Sequence, residues 1–135
     1  MKEIFERKSI MTLEDTKQLC DVIRQTAYEI HCYLKHGFTE KIYENALIHR
    51  LKKKGIIAEP QIPLKIYDED ETLLGEYQAD LLVEGKLIIE IKACKTLTDG
   101  HVAQLLGYLK ASRIEDGLLI NFGASKVQIK KYIFS

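Results

Sequence analysis

Two carboxylates and an ammonium stand where buried strands should carry valine or isoleucine. Asp80 interrupts the apolar run Gln78-Ala79-Asp80-Leu81-Leu82-Val83. Glu90 and Lys92 interrupt Lys86-Leu87-Ile88-Ile89-Glu90-Ile91-Lys92. Glu90 and Lys92 are two apart and so share one face of a strand. Unpaired charges are costly to bury, so such groups pair with one another or with a metal. Acids and a lysine converging on one hairpin face have the composition of a hydrolytic metal site. The alternative is an ordinary solvated strand face, but Ile88 and Leu82 share that face and argue that it is covered.

Whether Asp80 joins Glu90 depends on the turn at Glu84-Gly85. A two-residue loop pairs Val83 with Lys86, sets Asp80 opposite Ile89 and turns Glu90 to the other face. A three-residue loop, Val83-Glu84-Gly85 with Gly85 left-handed, pairs Leu82 with Lys86. Asp80 then lies opposite Ile88, with Glu90 one same-face position along. A metal site therefore requires the bulged hairpin.

Two helical segments carry further polar groups at useful spacing. Gly37-Phe38-Thr39-Glu40-Lys41-Ile42-Tyr43 puts Glu40 in a first helical turn and Tyr43 one turn later on the same face. A first-turn glutamate taken alone is only a favourable dipole partner. His101, Gln104 and Tyr108 follow one another at i, i+3 and i+7 as a polar stripe, beside an apolar side of Val102, Leu105, Leu106 and Leu109. Gln104 and Tyr108 are uncharged, which suits orienting a nucleophile or a phosphate better than solubilising a surface.

The elements that must position these groups read in the order helix, helix, three strands, helix, two strands. Leu19, Ile23, Ala27, Ile30 and Leu34 mark a helix over Thr12–Lys35, with Thr12 and Thr16 as cap candidates and Gly37 as its C-cap. Thr39 caps a second helix to Lys54, whose stripe is Tyr43, Ala46, Leu47 and Leu51. Strands are expected at Ile56–Tyr67, Gly75–Val83, Lys86–Lys92, Gly117–Phe122 and Lys126–Phe134. A third helix covers Thr98–Lys110. Pro60 and Pro63 mark the first strand as an edge or a bulge. Asp68-Glu69-Asp70-Glu71 is read as a solvated turn. A helix set between strands implies a mixed sheet with helices packed on it.

The 135 residues amount to one domain, with residues 1–11 as an N-terminal extension. Lys+Arg and Asp+Glu balance at 20 each, which counts against strong non-specific binding to nucleic acid or membrane. The basic groups Lys52-Lys53-Lys54 and Lys126, Lys130 and Lys131 read as solvated surface. Cys20, Cys32 and Cys94 form no metal-ligand pattern and suggest reduced thiols in a cytoplasmic protein. No apolar run is long enough to span a bilayer.

Taken together, Asp80, Glu90-x-Lys92 and Gln104-x-x-x-Tyr108 resemble the PD-(D/E)XK nuclease superfamily, in its RecB-like branch. Gly37-x-x-Glu40-x-x-Tyr43 resembles the signature of the small bacterial and archaeal GxxExxY family within it. The resemblance covers roughly residues 12–134 and departs at Ala79, where the superfamily name has Pro. It implies a restriction-endonuclease-like α/β core, with a mixed sheet of about five strands flanked by helices. It implies Mg²⁺ or Mn²⁺ held by Asp80 and Glu90, with the Ile91 carbonyl as an extra ligand and Glu40 as a third acid, direct or through water. Lys92 would orient the attacking water or stabilise the transition state, while Gln104 and Tyr108 position water or phosphate. The expected activity is phosphodiester hydrolysis, on DNA in preference to RNA. The other reading is a nucleic-acid-binding or regulatory module that keeps the fold and acts only with a protein partner; a homodimer is also open.

Overall fold

A computed structural model describes residues 16–135. Thr12 and the 1–11 extension lie outside the described residues. Helix α1 (Thr16–Leu34) buries Leu19, Ile23, Ala27 and Ile30, the stripe its spacing predicts. It ends differently from expectation. Lys35, with φ 60°, takes the left-handed position, and its N–H bonds the His31 carbonyl. Gly37, also at positive φ, comes later, in the loop to the next helix.

Helix α2 (Glu40–Lys53) follows Thr39, which occupies the N-cap without a side-chain cap bond. Tyr43 is fully buried and stacks on Phe122 with ring centroids 4.6 Å apart. Its hydroxyl donates to the Lys35 carbonyl at 2.5 Å and accepts from the Phe38 N–H at 3.2 Å. One tyrosine thereby fastens the loop carrying Gly37 to the core. Lys52, Lys53 and Lys54 are exposed at the end of this helix, and Lys54 bonds Thr26 and Glu29 across to α1.

Five strands follow: β1 (Ala58–Tyr67), β2 (Leu73–Val83), β3 (Leu87–Lys92), β4 (Asp116–Asn121) and β5 (Gln128–Ile133), with helix α3 (Asp99–Ser112) between β3 and β4. They form one mixed sheet in sequence order. The β3–β4 pair is parallel and the others are antiparallel. Strand β1 is an edge strand, as its prolines require, and the acidic turn at Asp68–Glu71 is exposed.

Alternation along β3 divides the core. Leu87, Ile89 and Ile91 pack with α1 and α2 residues, including Ile23, Tyr43 and Leu47. Ile88 points the other way and packs with Leu105, Tyr108 and Leu109 of α3. Helix α3 lies close on β4 because Gly117 has no side chain: a Cβ there would meet Leu105 Cδ1 at 2.9 Å. Thr98 and His101 close the start of α3 with a capping box, each side chain taking the other's backbone N–H. His101 is therefore engaged in the helix cap, apart from the rest of the predicted polar stripe.

Candidate active site

The β2–β3 hairpin has the predicted parity but a different register. Val83 pairs with Leu87, Leu82 with Ile88 and Leu81 with Ile89. The loop is Glu84-Gly85-Lys86 rather than Val83-Glu84-Gly85, and Asp80 comes opposite Glu90 rather than Ile88. The cause lies at Glu84. Both Glu84 (φ 52°) and Gly85 (φ 68°) are left-handed, and the Lys86 N–H closes the turn on the Val83 carbonyl. Glu84 is held there by Ile57, the residue just before β1. Its carboxylate accepts from the Ile57 N–H at 2.7 Å, and its own N–H donates to the Ile57 carbonyl.

Beyond Leu81 and Ile89 the ladder gives way to side chains. The Asp80 carboxylate accepts from the Ile91 N–H at 2.7 Å, and the Glu90 carboxylate accepts from the Asp80 N–H at 3.2 Å. On the other flank, Gln61 of β1 has φ 54°, and no pairing forms between Gln61 and Asp80. The sheet thus forks at Asp80: β2 continues with β1, and β3 with β4. The two carboxylates replace the missing ladder bonds, which keeps the backbone donors satisfied.

Asp80, Glu90 and Lys92 meet on the α3 side of this fork. Lys92 Nζ donates to Gln104 Oε1 at 2.7 Å and lies 3.9 Å from Glu90 Oε1. Glu90 is only 3 % exposed. Burial, then the adjacent Asp80 charge, push its carboxyl up to about 8. Asp80 is also raised, chiefly by burial and despite the bond from the Ile91 N–H. Two acids facing each other here call for a proton or a cation between them. Tyr108, beside Gln104, is pushed up to about 12 by burial and by the Glu90 and Asp80 charges. Its ring meets Tyr77 edge-on with centroids 5.4 Å apart.

Glu40 is not brought into this group. It is exposed at the head of α2 and takes no hydrogen-bond or ion-pair partner among the described residues. Helix α2 covers the opposite face of the sheet, so a carboxylate from it must come around the fork. The acid of α2 that is buried is Glu44, one turn on and 4 % exposed. It accepts from Gln61 Nε2 at 2.9 Å, lies 3.6 Å from Lys41, and its charge acts on Asp80. A glutamate on the Tyr43–Leu47–Leu51 stripe was the sequence signal for it. Among the described residues, no three His, Cys, Asp or Glu side chains converge on one point that could hold a metal.

A second residue absent from the predicted set holds the Lys92 end of β3. Asn121, fully buried, accepts from the Cys94 and Gly123 N–H groups and donates to the Cys94 carbonyl and to Gln128 Oε1. Gly123 lies so close that a Cβ there would stand 2.2 Å from the Cys94 backbone nitrogen. A polar residue inside the apolar Leu118–Phe122 run was its signal, the same kind that marked Asp80. Ile91 itself buries its side chain on the α1–α2 side, between the two site residues.

A mixed five-stranded sheet with flanking helices and an acid pair beside a lysine at a strand fork defines a restriction-endonuclease-like α/β protein. The family model of the PD-(D/E)XK nuclease superfamily matches residues 17–132, and the chain belongs to that superfamily. Among solved structures it is similar to a crystal structure of SSO0001, with a TM-score of 0.58 and 20 % identity over 69 % of this chain. The likeness is one of fold, and the chain spans 48 % of that structure's chain. No curated protein matches the sequence. Among the described residues, no helix is long and apolar enough to cross a membrane.

Proposed function

We propose that this chain is a metal-dependent nuclease of the GxxExxY type that hydrolyses phosphodiester bonds at the β2–β3 fork, on DNA in preference to RNA. The observation that carries this is the Asp80–Glu90 pair, a buried Glu90 raised by burial and by the Asp80 charge, and a half-buried Asp80 raised by burial, with Lys92 alongside. The pair fits Mg²⁺ or Mn²⁺. Mg²⁺ is held through one or two carboxylates, with water and substrate phosphate completing its shell, so a third acidic ligand is not required. Asp80, Glu90 and the Ile91 carbonyl would hold the ion. Once bound, the cation supplies charge neutralisation at the phosphate oxygens.

The chain's own groups divide the remaining work. Lys92, steered by Gln104, presents its other N–H donors toward the reacting phosphate and stabilises the charge that grows there. Tyr108, raised to about 12, keeps its proton at neutral pH and serves as a hydrogen-bond donor to water or phosphate.

Single-turnover cleavage of labelled oligonucleotides with Mg²⁺ or Mn²⁺, beside metal calorimetry, tests the proposal. Lys92→Ala should cut cleavage about a hundredfold while leaving metal binding largely intact, because it acts on the transition state. Glu90→Ala should lose both. A wild-type protein that binds metal and nucleic acid, cleaves nothing and matches Lys92→Ala would favour the alternative, a binding module dependent on a partner.

A further inference from the structure

We propose that the groove running from Gln104 along α3 is a track for single-stranded nucleic acid, with Tyr77 and Tyr67 as base-stacking platforms and Lys110 and Arg113 as phosphate contacts. This deepens the nuclease reading and rests on it for the placement of the scissile bond. Two open clefts, of about 530 and 420 Å³, share Tyr77 and Gly107 and so form one groove. The first opens on Gln104 and Tyr108, beside Lys92. The second continues between the β1–β2 arm and α3 to Tyr67, Lys110 and Arg113. From Gln104 to Arg113 the helix rises about 14 Å, room for a few nucleotides.

The chemistry of the lining selects the occupant. Tyr77 is 49 % exposed and Tyr67 55 % exposed, so each offers uncovered aromatic surface on a wall of the groove. Tyr77 is braced edge-on by Tyr108, which fixes the ring. Lys110 and Arg113 are exposed and take no ion-pair partner among the described residues. A cation in a last helical turn is ordinarily a dipole partner. Here two unpaired cations lie at the far end of a groove that holds two half-exposed tyrosines and opens on the acid pair. Aromatic faces bind unpaired bases, since a duplex has its base faces covered by stacking. The chain's net charge of zero also removes the general field on which duplex binding relies, so affinity must come from stacking and a few local contacts.

The test measures binding apart from cleavage. Fluorescence anisotropy without divalent metal compares a labelled single strand with its duplex, for wild type, Tyr77→Leu, Tyr77→Phe and the double variant Lys110→Glu/Arg113→Glu. The expected results are at least tenfold preference for the single strand and a shallow salt slope, about −1.4 for two phosphate contacts. Tyr77→Leu should lose about five- to a hundredfold, the span stacking supplies, while Tyr77→Phe stays near wild type. The double charge reversal should weaken binding and flatten the salt slope. Photocrosslinking of an iodouridine-labelled strand to unaltered protein should map to Tyr77 or Tyr67, so the proposal can be judged even where a variant misfolds. Duplex bound as well as single strand, or crosslinks only outside the groove, overturns the track. Cleavage with that outcome leaves the nuclease standing and removes the track; selective binding without cleavage in Mg²⁺ or Mn²⁺ does the reverse.

Discussion

Replacing Glu90 with Gln should make the metal-free protein more stable at alkaline pH and leave it almost unchanged in acid. Glutamine keeps the acceptor that Glu90 offers the Asp80 N–H and adds a donor toward the Asp80 carboxylate. In the native protein the Glu90 carboxyl is raised from 4.5 to about 8, first by burial and then by Asp80. Between those values the folded protein keeps a proton that the unfolded chain has lost, so stability falls as pH rises through that window. From about pH 5.5 to about pH 8.5 the wild type should lose about 3 kcal/mol through this group. For a chain of this size that is a drop of roughly 10 °C in Tm. The assay is urea unfolding of chelator-treated protein at both pH values, wild type beside Glu90→Gln. Titrating groups that do not feel Glu90 contribute alike to both proteins and cancel in the difference. Parallel pH dependence of the two would refute the proton-sharing acid pair, and with it the electrostatic case for a cation at this position.

Other consequences are open to the same preparations. Millimolar Mg²⁺ or Mn²⁺ should raise the wild-type Tm at about pH 8 by mass action, and Asp80→Asn should abolish the shift; equal shifts in both proteins would place the ion elsewhere. Asn121→Ala leaves the Cys94 and Gly123 N–H groups and the Cys94 carbonyl without their partner and should cost about 2–4 kcal/mol; an unaltered denaturation midpoint would count against the Asn121 anchor. Gly123→Ala, whose Cβ meets backbone rather than a movable side chain, should be at least as damaging in the same measurement.

The sequence disclosed periodicity better than it disclosed registration. A strand's period of two made the shared face of Asp80 and Glu90 a matter of parity, and parity survives a slip of two residues. The pairing itself depended on Glu84 adopting a left-handed conformation, which no local preference of glutamate announces; Ile57, far back in the chain, holds it there. Lys92, Gln104 and Tyr108 were legible because each stands at a position whose face its element dictates. Glu40 lies apart from the acid pair because helical spacing gives a face, not which side of the sheet the helix covers. Glu44 and Asn121 were overlooked although both are polar residues on apolar stripes, the same anomaly that pointed to Asp80.

The fork at Asp80 has an evolutionary corollary. Asp80 and Glu90 stitch the backbone of β2 to that of β3 with the same oxygens proposed for chemistry, whereas among the described residues the Lys92 side chain bonds only Gln104 and Glu90. A lineage that stopped needing catalysis could discard the lysine at little structural cost, yet an apolar residue at position 80 would strand the Ile91 N–H inside the protein. Descendants that had fallen silent would therefore be expected to keep their acids, or exchange them for asparagine or glutamine, long after the ammonium had gone. Surviving carboxylates would then be a poor guide to activity in this fold, and the lysine a better one.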